Sequence, residues 1–199
     1  MYYENFIKTF SITSVFCFIT DLIFPELRVK KTPRDIVVQN YLEIVPLVVF
    51  NLLLSYPVFT VSEDYTKIYG EDYGYAYYLY WLTLTDIIFY SVHRLFHSKN
   101  LYLNYHSVHH KYRYTYGIGA IYAHPVDHLS VNLFSTFAPI FIFPPDEKTS
   151  LNIIFFSTAY TVIISHGCYK IFNKSHLILH LYFKKNYGLV FTDRCLKTF

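Results

Sequence analysis

The chain has few charged residues and few cysteines, and each shortage excludes a class of protein. Charged residues make up only 16% of the 199 residues, and hydrophobic residues make up 53%. Ordinary soluble domains carry about 25% charged residues, so this composition predicts an integral membrane protein. Only three cysteines are present, at Cys17, Cys168 and Cys195, and none forms a Cys-x-x-Cys pair. Their spacing argues against a disulfide framework and against a thiolate zinc site.

Basic residues are too scattered for a nucleic-acid-binding surface. The formal net charge is +3, and no run of lysine or arginine is long enough to form a basic patch. We therefore expect no nucleic-acid partner.

Apolar runs in the first half predict membrane spans. Residues 7–25 form a marginal span, weakened by Asp21 near its end, and residues 36–61 form the clearest one. The second run is long enough to cross a hydrocarbon core of about 30 Å, and its Glu43 is expected to face the protein interior or the interface. Residues 75–92 predict a third span, rich in Tyr and Trp as interfacial segments are.

Two shorter apolar runs, at 129–145 and 150–165, predict a hairpin that enters the membrane and returns. With about four spans, the histidine-rich segments before and after the hairpin are expected to lie on the same side of the membrane. Of the 17 lysines and arginines, all but Lys8, Lys67 and Lys148 then lie on that side. The positive-inside rule predicts that this side is cytosolic.

Histidines are absent before residue 93 and clustered after it. Residues 93–128 read HRLFH, then YHSVHHKY, then YAHPVDH, and they hold seven of the ten histidines. The others are His166, His176 and His180. Such clustering on one predicted side favours a metal site, although a single His-x-x-x-His pair is often a capping or interfacial pair.

The spacing explains how these imidazoles converge. Helical residues four apart share a face, so His93 and His97 can bind one ion or two adjacent ones. The same holds for His106, His109 and His110, because offsets of three and four place His109 and His110 beside His106. Two helices with such faces opposed would form a cage. Imidazole suits Zn, Cu, Fe and Ni, so the ligand type leaves the metal open.

Two carboxylates are predicted to support this cage. Asp86 lies two helical turns before His93, and a ligating histidine usually donates its second N–H to such a group; the alternative is a polar contact to another span. Asp127 is placed to do the same for His124. His128 fits no cluster and is expected to pack or hydrogen-bond at the interface.

The segments HRLFH, HSVHH, YAHP and HLILHLYFKKNYG resemble the fatty acid hydroxylase or sterol desaturase superfamily of membrane di-iron enzymes. Within it the chain is most similar to the 4-methylsterol monooxygenase branch, whose HSGY-like segment is matched at residues 166–169. The similarity spans roughly residues 80–199. We accordingly expect N-terminal membrane spans at 1–75 and a di-iron domain at 76–199, in one structural unit.

The resemblance implies an all-α multi-pass protein of the endoplasmic reticulum membrane, with a cytosolic histidine-rich helical cap. It implies two non-haem iron ions, O₂, and electrons from NAD(P)H through cytochrome b5 and its reductase. The implied substrate is a lipid of the bilayer, and the most specific implied reaction is hydroxylation of a sterol C-4 methyl group. Sterol C-5 desaturation and sphingolipid or fatty acid hydroxylation are the alternatives. The implied ligands are His93, His97, His106, His109, His110, His124, His166, His176 and His180, supported by Asp86, Asp127 and Asn186.

A metal is required for such chemistry because no amino-acid side chain breaks an unactivated C–H bond by acid–base catalysis. A membrane transporter or metal carrier is the competing function. It is disfavoured because its ligands would lie along a pathway within the spans, whereas these lie at span ends.

One position departs from the superfamily pattern. Alignment on Phe183 and on the Asn-Tyr-Gly at 186–188 places His176 and His180 on the first and last histidines of the final HxxHH box. The middle position is Leu179, which cannot bind a metal. Either another group completes the site and the enzyme works, or the chain is a degenerate member that keeps the fold without turnover.

Overall fold

The computed structural model describes residues 1–28, 31–112, 116–167, 169, 187–189 and 192–196. Within these residues the regular structure is helical, and β structure is limited to two isolated bridges, Arg28 with Tyr169 and Glu71 with Pro145. Leu179 and the predicted site residues His176, His180 and Asn186 lie outside the described part. The prediction of an all-α fold is confirmed.

Three long helices make up the first half, namely α1 (Tyr2–Ile23), α2 (Arg34–Tyr69) and α3 (Ala76–Phe96). A short helix α4 (Lys99–Asn104) and two 3₁₀ turns (His106–Lys111 and Gly117–Ile121) follow. The hairpin has one arm of α5 (Pro125–Asp127), a π-helix (His128–Leu133) and α6 (Phe134–Ile142), and a second arm of α7 (Glu147–Ala159) and a π-helix (Tyr160–Ser165). The last described helix is α8 (Thr192–Cys195).

Helices α1 and α2 are long and apolar enough to cross a membrane. The 36 residues of α2 reach about 54 Å at 1.5 Å per residue, well beyond a hydrocarbon core. Large apolar side chains such as Ile12 and Leu53 are exposed on these two helices, as expected of surfaces that face lipid. The residues predicted as a third span lie in α3, which is not among the described helices that are long and apolar enough to cross a membrane, and HRLFH forms its C-terminal end.

Aromatic side chains join the N-terminal helices to the hairpin. The Phe6 ring of α1 stacks on Phe59 of α2 at 4.5 Å, and Phe59 meets Phe137 of α6 edge-on at 4.8 Å. On the other face of the hairpin, the Trp81 indole N–H of α3 donates to the Thr136 carbonyl at 3.0 Å. Described side chains of the N-terminal helices and of the hairpin therefore pack in one hydrophobic cluster.

Asp21, near the end of α1, is accommodated by a buried partner. Its carboxylate lies 2.7 Å from the Arg28 guanidinium and accepts a hydrogen bond from the Tyr41 hydroxyl at 3.0 Å. Arg28 also lies over the Tyr116 ring, 4.6 Å from its centroid. These contacts hold Arg28, which follows α1, against Tyr116.

Candidate metal centre

The end of α3 presents the first two histidines. Because they are four residues apart on one helix, His93 and His97 share a face, and their Nε2 atoms are 3.2 Å apart. His93 is buried with 1% of its surface exposed, while His97 forms the C-cap of α3. The helix therefore delivers two imidazole nitrogens to one point.

The HSVHHK segment folds as a 3₁₀ turn and not as the predicted α-helix. His106 places its Nε2 3.0 Å from that of His93, and His110 places its Nε2 3.1 Å from that of His106. One ligand nitrogen from each of His93, His97, His106 and His110 lies within 4.8 Å of the others. We call these four residues the first histidine group.

His109 belongs to a second histidine group with His166. Its ring lies beside that of His106, with 5.6 Å between centroids, but its Nε2 is 3.4 Å from the Nε2 of His166. The spacing of His106, His109 and His110 had left open whether they serve one ion or two adjacent ones. The segment divides its imidazoles between two adjoining groups.

The π-helix Tyr160–Ser165 sets the position of His166. A π-helix pairs residues five apart, and here the Thr161 carbonyl accepts both the backbone N–H of His166 at 3.1 Å and its Nδ1–H at 2.9 Å. Local π-turns are often found at functional sites. This one fixes the ring so that Nε2 faces His109.

The Nδ1 atoms of both groups identify the tautomers. Carbonyl oxygens lie 2.9 Å from Nδ1 of His93, at Tyr187, and 3.0 Å from Nδ1 of His109, at Tyr122. A carbonyl can only accept, so each Nδ1 must carry the proton. The Asp127 carboxylate does the same for His106 at 2.8 Å. In neutral rings the Nε2 lone pairs therefore point into the two groups.

Such an arrangement fits a bound cation. Two lone pairs 3.0 Å apart, as on His93 and His106, repel each other unless a positive charge lies between them. Metal–imidazole bonds of about 2.0–2.1 Å give nitrogen–nitrogen separations of about 2.9–3.4 Å for bond angles from 90° to tetrahedral. Four Nε2 pairs, His93–His106, His93–His97, His106–His110 and His109–His166, are 3.0–3.4 Å apart and fall in this range.

Electrostatics favours the neutral, metal-binding form of His109. Burial lowers its pKa below the ordinary value, and the neighbouring His106 lowers it further. A ligating imidazole must be neutral, so this pKa shift acts in the direction that metal binding needs.

A polar tether outside the groups holds the 3₁₀ turn against α2. Lys111 forms an ion pair with Glu43, whose other oxygen accepts from the Tyr112 hydroxyl at 2.6 Å. The hydrogen bond to Glu43 raises the pKa of Lys111. Glu43, predicted to face the interior or the interface, is exposed and serves this tether.

The predicted roles of the two carboxylates require correction. Asp127 pairs with His106 and not with His124, because α5 turns its side chain toward the 3₁₀ turn. Asp86 binds the backbone of the C-terminal turn, since it accepts from Leu189 N–H at 2.5 Å and Thr192 N–H at 2.8 Å. The Nδ1 of His93 donates to the Tyr187 carbonyl, so these contacts connect Asp86 to this ring through the turn.

His124 and His128 lie outside both groups. The Nδ1 of His124 accepts from the Val126 N–H at 3.2 Å, so its side chain caps α5. This is a local role that the Tyr-Ala-His-Pro match did not indicate. The buried His128 contacts the Ser55 hydroxyl through Nε2 at 2.9 Å.

A mainly apolar cavity of about 110 Å³ adjoins both histidine groups. At one end it is lined by His93, His106, His109 and His166, and further along by Phe6, Phe10, Phe59 and Phe137. The second arm of the hairpin contributes Ile154, Ser157, Thr158, Thr161, Val162 and Ser165 at helical spacing. The cavity therefore runs from the aromatic core to the histidines.

Sequence reasoning missed the contributions of the backbone and of Asp193. The carbonyls of Tyr122, Thr161 and Tyr187 orient the rings of His109, His166 and His93, and the sequence does not show which carbonyl has such a role. Asp193 accepts from the Tyr187 and Gly188 amides at 2.9 and 2.5 Å.

Comparisons with known proteins bear on this site. The family model described as "Fatty acid hydroxylase" matches residues 78–198. A Delta(7)-sterol 5(6)-desaturase of Aspergillus fumigatus is 31% identical over 157 residues, which is 71% of this chain and 47% of that protein. The methylsterol monooxygenase 2-2 of Arabidopsis thaliana is 35% identical over 91 residues, 44% of this chain and 34% of that protein.

A very-long-chain aldehyde decarbonylase of Oryza sativa subsp. indica is 28% identical over 126 residues, 59% of this chain and 47% of that protein. The chain thus spans less than half the length of each of these relatives. No solved structure matches it. The family match covers α3, the histidine segments and the hairpin, and the chain belongs to the fatty acid hydroxylase family, whose members are membrane-bound and known for iron-dependent oxygenation.

Proposed function

We propose that the chain forms the catalytic part of a membrane-bound, non-haem di-iron oxygenase that oxidises an unactivated C–H bond of a lipid. The observation that carries this proposal is the pair of adjoining histidine groups. Each directs Nε2 lone pairs inward at 3.0–3.4 Å separations, and both line one apolar cavity. Two cation sites beside an apolar cavity suit oxidation of an apolar substrate.

Iron and O₂ would supply the oxidising power that side chains lack. The first group would hold one ion through His93, His97, His106 and His110. His109 and His166 would hold the second, with His176 and His180 completing it. Asp127 and the carbonyls of Tyr122, Thr161 and Tyr187 keep each Nδ1 protonated and the rings in place, which raises ligand basicity and fixes ring orientation.

The cavity selects an uncharged part of the substrate. Apart from histidines, Asp127 is the one acidic or basic residue among the described residues that line it, and its carboxylate is hydrogen-bonded to His106. A lipid headgroup with a formal charge would find no partner there. An apolar portion held among Phe10, Phe59 and Phe137 would place its C–H bonds toward the histidines.

The specific reaction that we propose is hydroxylation of a sterol C-4 methyl group. The similarity to a methylsterol monooxygenase and to a sterol desaturase supports a sterol substrate. Sterol C-5 desaturation and fatty acid or sphingolipid hydroxylation are the alternatives. The similarity to an aldehyde decarbonylase favours keeping long-chain lipids among the substrates tested.

We place the protein in the endoplasmic reticulum membrane with its histidine groups in the cytosol, where cytochrome b5 and its reductase would deliver electrons from NAD(P)H. The concentration of basic residues on that side supports this orientation. A cytosolic site also gives a soluble electron donor domain access to the metal centre.

Lipid profiling tests the proposed reaction. Membranes from cells that lack the protein should accumulate one precursor, and the wild-type chain should remove it while His106→Ala should not. Accumulation of 4-methylsterols would support the sterol assignment, and accumulation of a hydroxylatable acyl lipid would reassign the substrate. An unchanged lipid profile together with full metal loading would favour the degenerate, non-catalytic alternative.

A further inference from the structure

Two buried carboxylates, outside both histidine groups, hold the C-terminal turn against α3. Asp86 has 0% and Asp193 has 5% of its surface exposed. Asp86 accepts from the Leu189 N–H at 2.5 Å and from both the N–H and the hydroxyl of Thr192, at 2.8 and 2.6 Å. A buried carboxylate is costly unless it is satisfied by hydrogen bonds, so this contact defines where the turn can lie.

Asp193 also binds the backbone of this turn. Its two oxygens accept from the Tyr187 N–H at 2.9 Å and the Gly188 N–H at 2.5 Å. A Cβ atom on Gly188 would lie 3.0 Å from an oxygen of each aspartate. The backbone at Gly188 therefore passes close to two carboxylates, which would have to shift slightly to admit a Cβ atom.

The turn that the two aspartates hold contacts the first histidine group through Tyr187. The Tyr187 carbonyl accepts from Nδ1 of His93 at 2.9 Å, and the Tyr187 ring packs on His97 with 5.0 Å between centroids. The Nε2 of His93 contacts the Nε2 atoms of both His97 and His106 in the first histidine group. The position of one carbonyl thus sets the orientation of a central ring of that group.

We propose that Asp86, Thr192 and Asp193 form a clasp of positioning residues that control the metal affinity of the first histidine group without touching the metal. The clasp fixes the Tyr187 carbonyl, and the carbonyl fixes the tautomer and rotation of His93. The Nδ1 atoms of His109 and His166 have other partners, the carbonyls of Tyr122 and Thr161. Loosening the clasp should weaken one of two ion sites and spare the other.

This inference rests on the proposed metal-binding function, and the test separates the two. Full-length protein in detergent is titrated with Co²⁺ against a chromophoric chelator, with the Co²⁺ absorption spectrum recorded at each step. If the wild-type protein binds no metal, the proposed function fails. If it binds metal and the clasp variants match it, only the clasp fails.

Thr192 provides the most conservative pair of variants. Thr192→Val removes the hydroxyl donor to Asp86 and keeps the shape, while Thr192→Ser keeps the donor. Partners behind a metal ligand typically contribute 10- to 100-fold in affinity. We expect about a tenfold loss at one site in Thr192→Val, an altered Co²⁺ spectrum, and near-wild-type values in Thr192→Ser. Equal affinities in the two variants would overturn the proposal.

Asp86→Asn is the stronger perturbation. One carboxylate oxygen accepts from the Leu189 N–H and the other from the Thr192 N–H, so in either orientation the amide NH₂ of Asn would face one of these donors and lose that hydrogen bond. The matched control is Asp146→Asn at the opposite end of the hairpin, where Asp146 accepts from the Thr149 N–H and hydroxyl at 3.1 and 2.6 Å. Both variants should lower the melting temperature, but only Asp86→Asn should weaken metal binding. Equal weakening of both ion sites by either variant would show that the clasp is merely structural.

Discussion

Substitution of Asp127 tests the support behind the first histidine group. The carboxylate has 2% of its surface exposed and lies 2.8 Å from Nδ1 of His106, whose Nε2 is 3.0 Å from that of His93. A carboxylate behind a ligating histidine raises its basicity, and its loss costs 10- to 100-fold in metal affinity. At about 1.4 kcal/mol per tenfold, this is about 1.4 to 2.8 kcal/mol of binding free energy.

The size of the loss should follow the chemistry of the replacement. In Asp127→Asn the amide oxygen still accepts from Nδ1 but carries no charge, and charge-assisted bonds are about twice as strong as neutral ones. We expect about a tenfold loss in Asp127→Asn and about a hundredfold loss in Asp127→Ala, which leaves the N–H without an acceptor. Chelator competition with Co²⁺ or Fe²⁺ on purified protein measures both values.

Asp64 supplies the control, because it is exposed on α2 far along the chain from the histidines. Asp64→Asn makes the same change of charge and should leave the affinity unaltered. If Asp127→Ala binds metal within twofold of the wild-type protein while remaining folded, His106 is not a ligand supported by Asp127, and the reasoning fails.

Three further predictions concern the second ion, the missing histidine and the topology. His166→Ala should reduce the bound metal from two ions to one, because it removes half of the described second group, and retention of both ions would exclude His166 as a ligand. Leu179→His should raise metal occupancy or turnover if that position normally completes the site, and no gain in either would show that it is not a ligand position. A tag in the loop 70–75 should be lumenal and a tag after Phe199 cytosolic in a protease-protection assay, whereas finding both on one side would refute the four-span arrangement.

Local periodicity in the sequence was enough to predict many of the helices and one pair of converging histidines. The spacing of His93 and His97 places both rings on one helical face wherever the helix is found, and the apolar runs correspond to α1, α2 and α3. The two hairpin arms were also anticipated. These features depend on residues close in sequence, so the sequence contains the information needed to place them.

Contacts between residues that are distant in the sequence could not be predicted from local periodicity. The division of His106 and His109 between two groups depends on a 3₁₀ turn and on His166, which is 57 residues from His109. Asp127 was assigned to the nearby His124, while the fold gives it to His106. The Tyr187 carbonyl reaches His93 across 94 residues, and every residue has a carbonyl, so only the tertiary fold reveals which one is used.

Metal stoichiometry tests the central claim most directly. Full-length protein, purified in detergent from cells supplied with iron, is analysed by inductively coupled plasma mass spectrometry beside its His93→Ala/His109→Ala variant. The two histidine groups predict close to two transition-metal ions per wild-type chain and markedly fewer in the variant. A folded, metal-free wild-type protein that takes up no added Fe²⁺ would contradict the account.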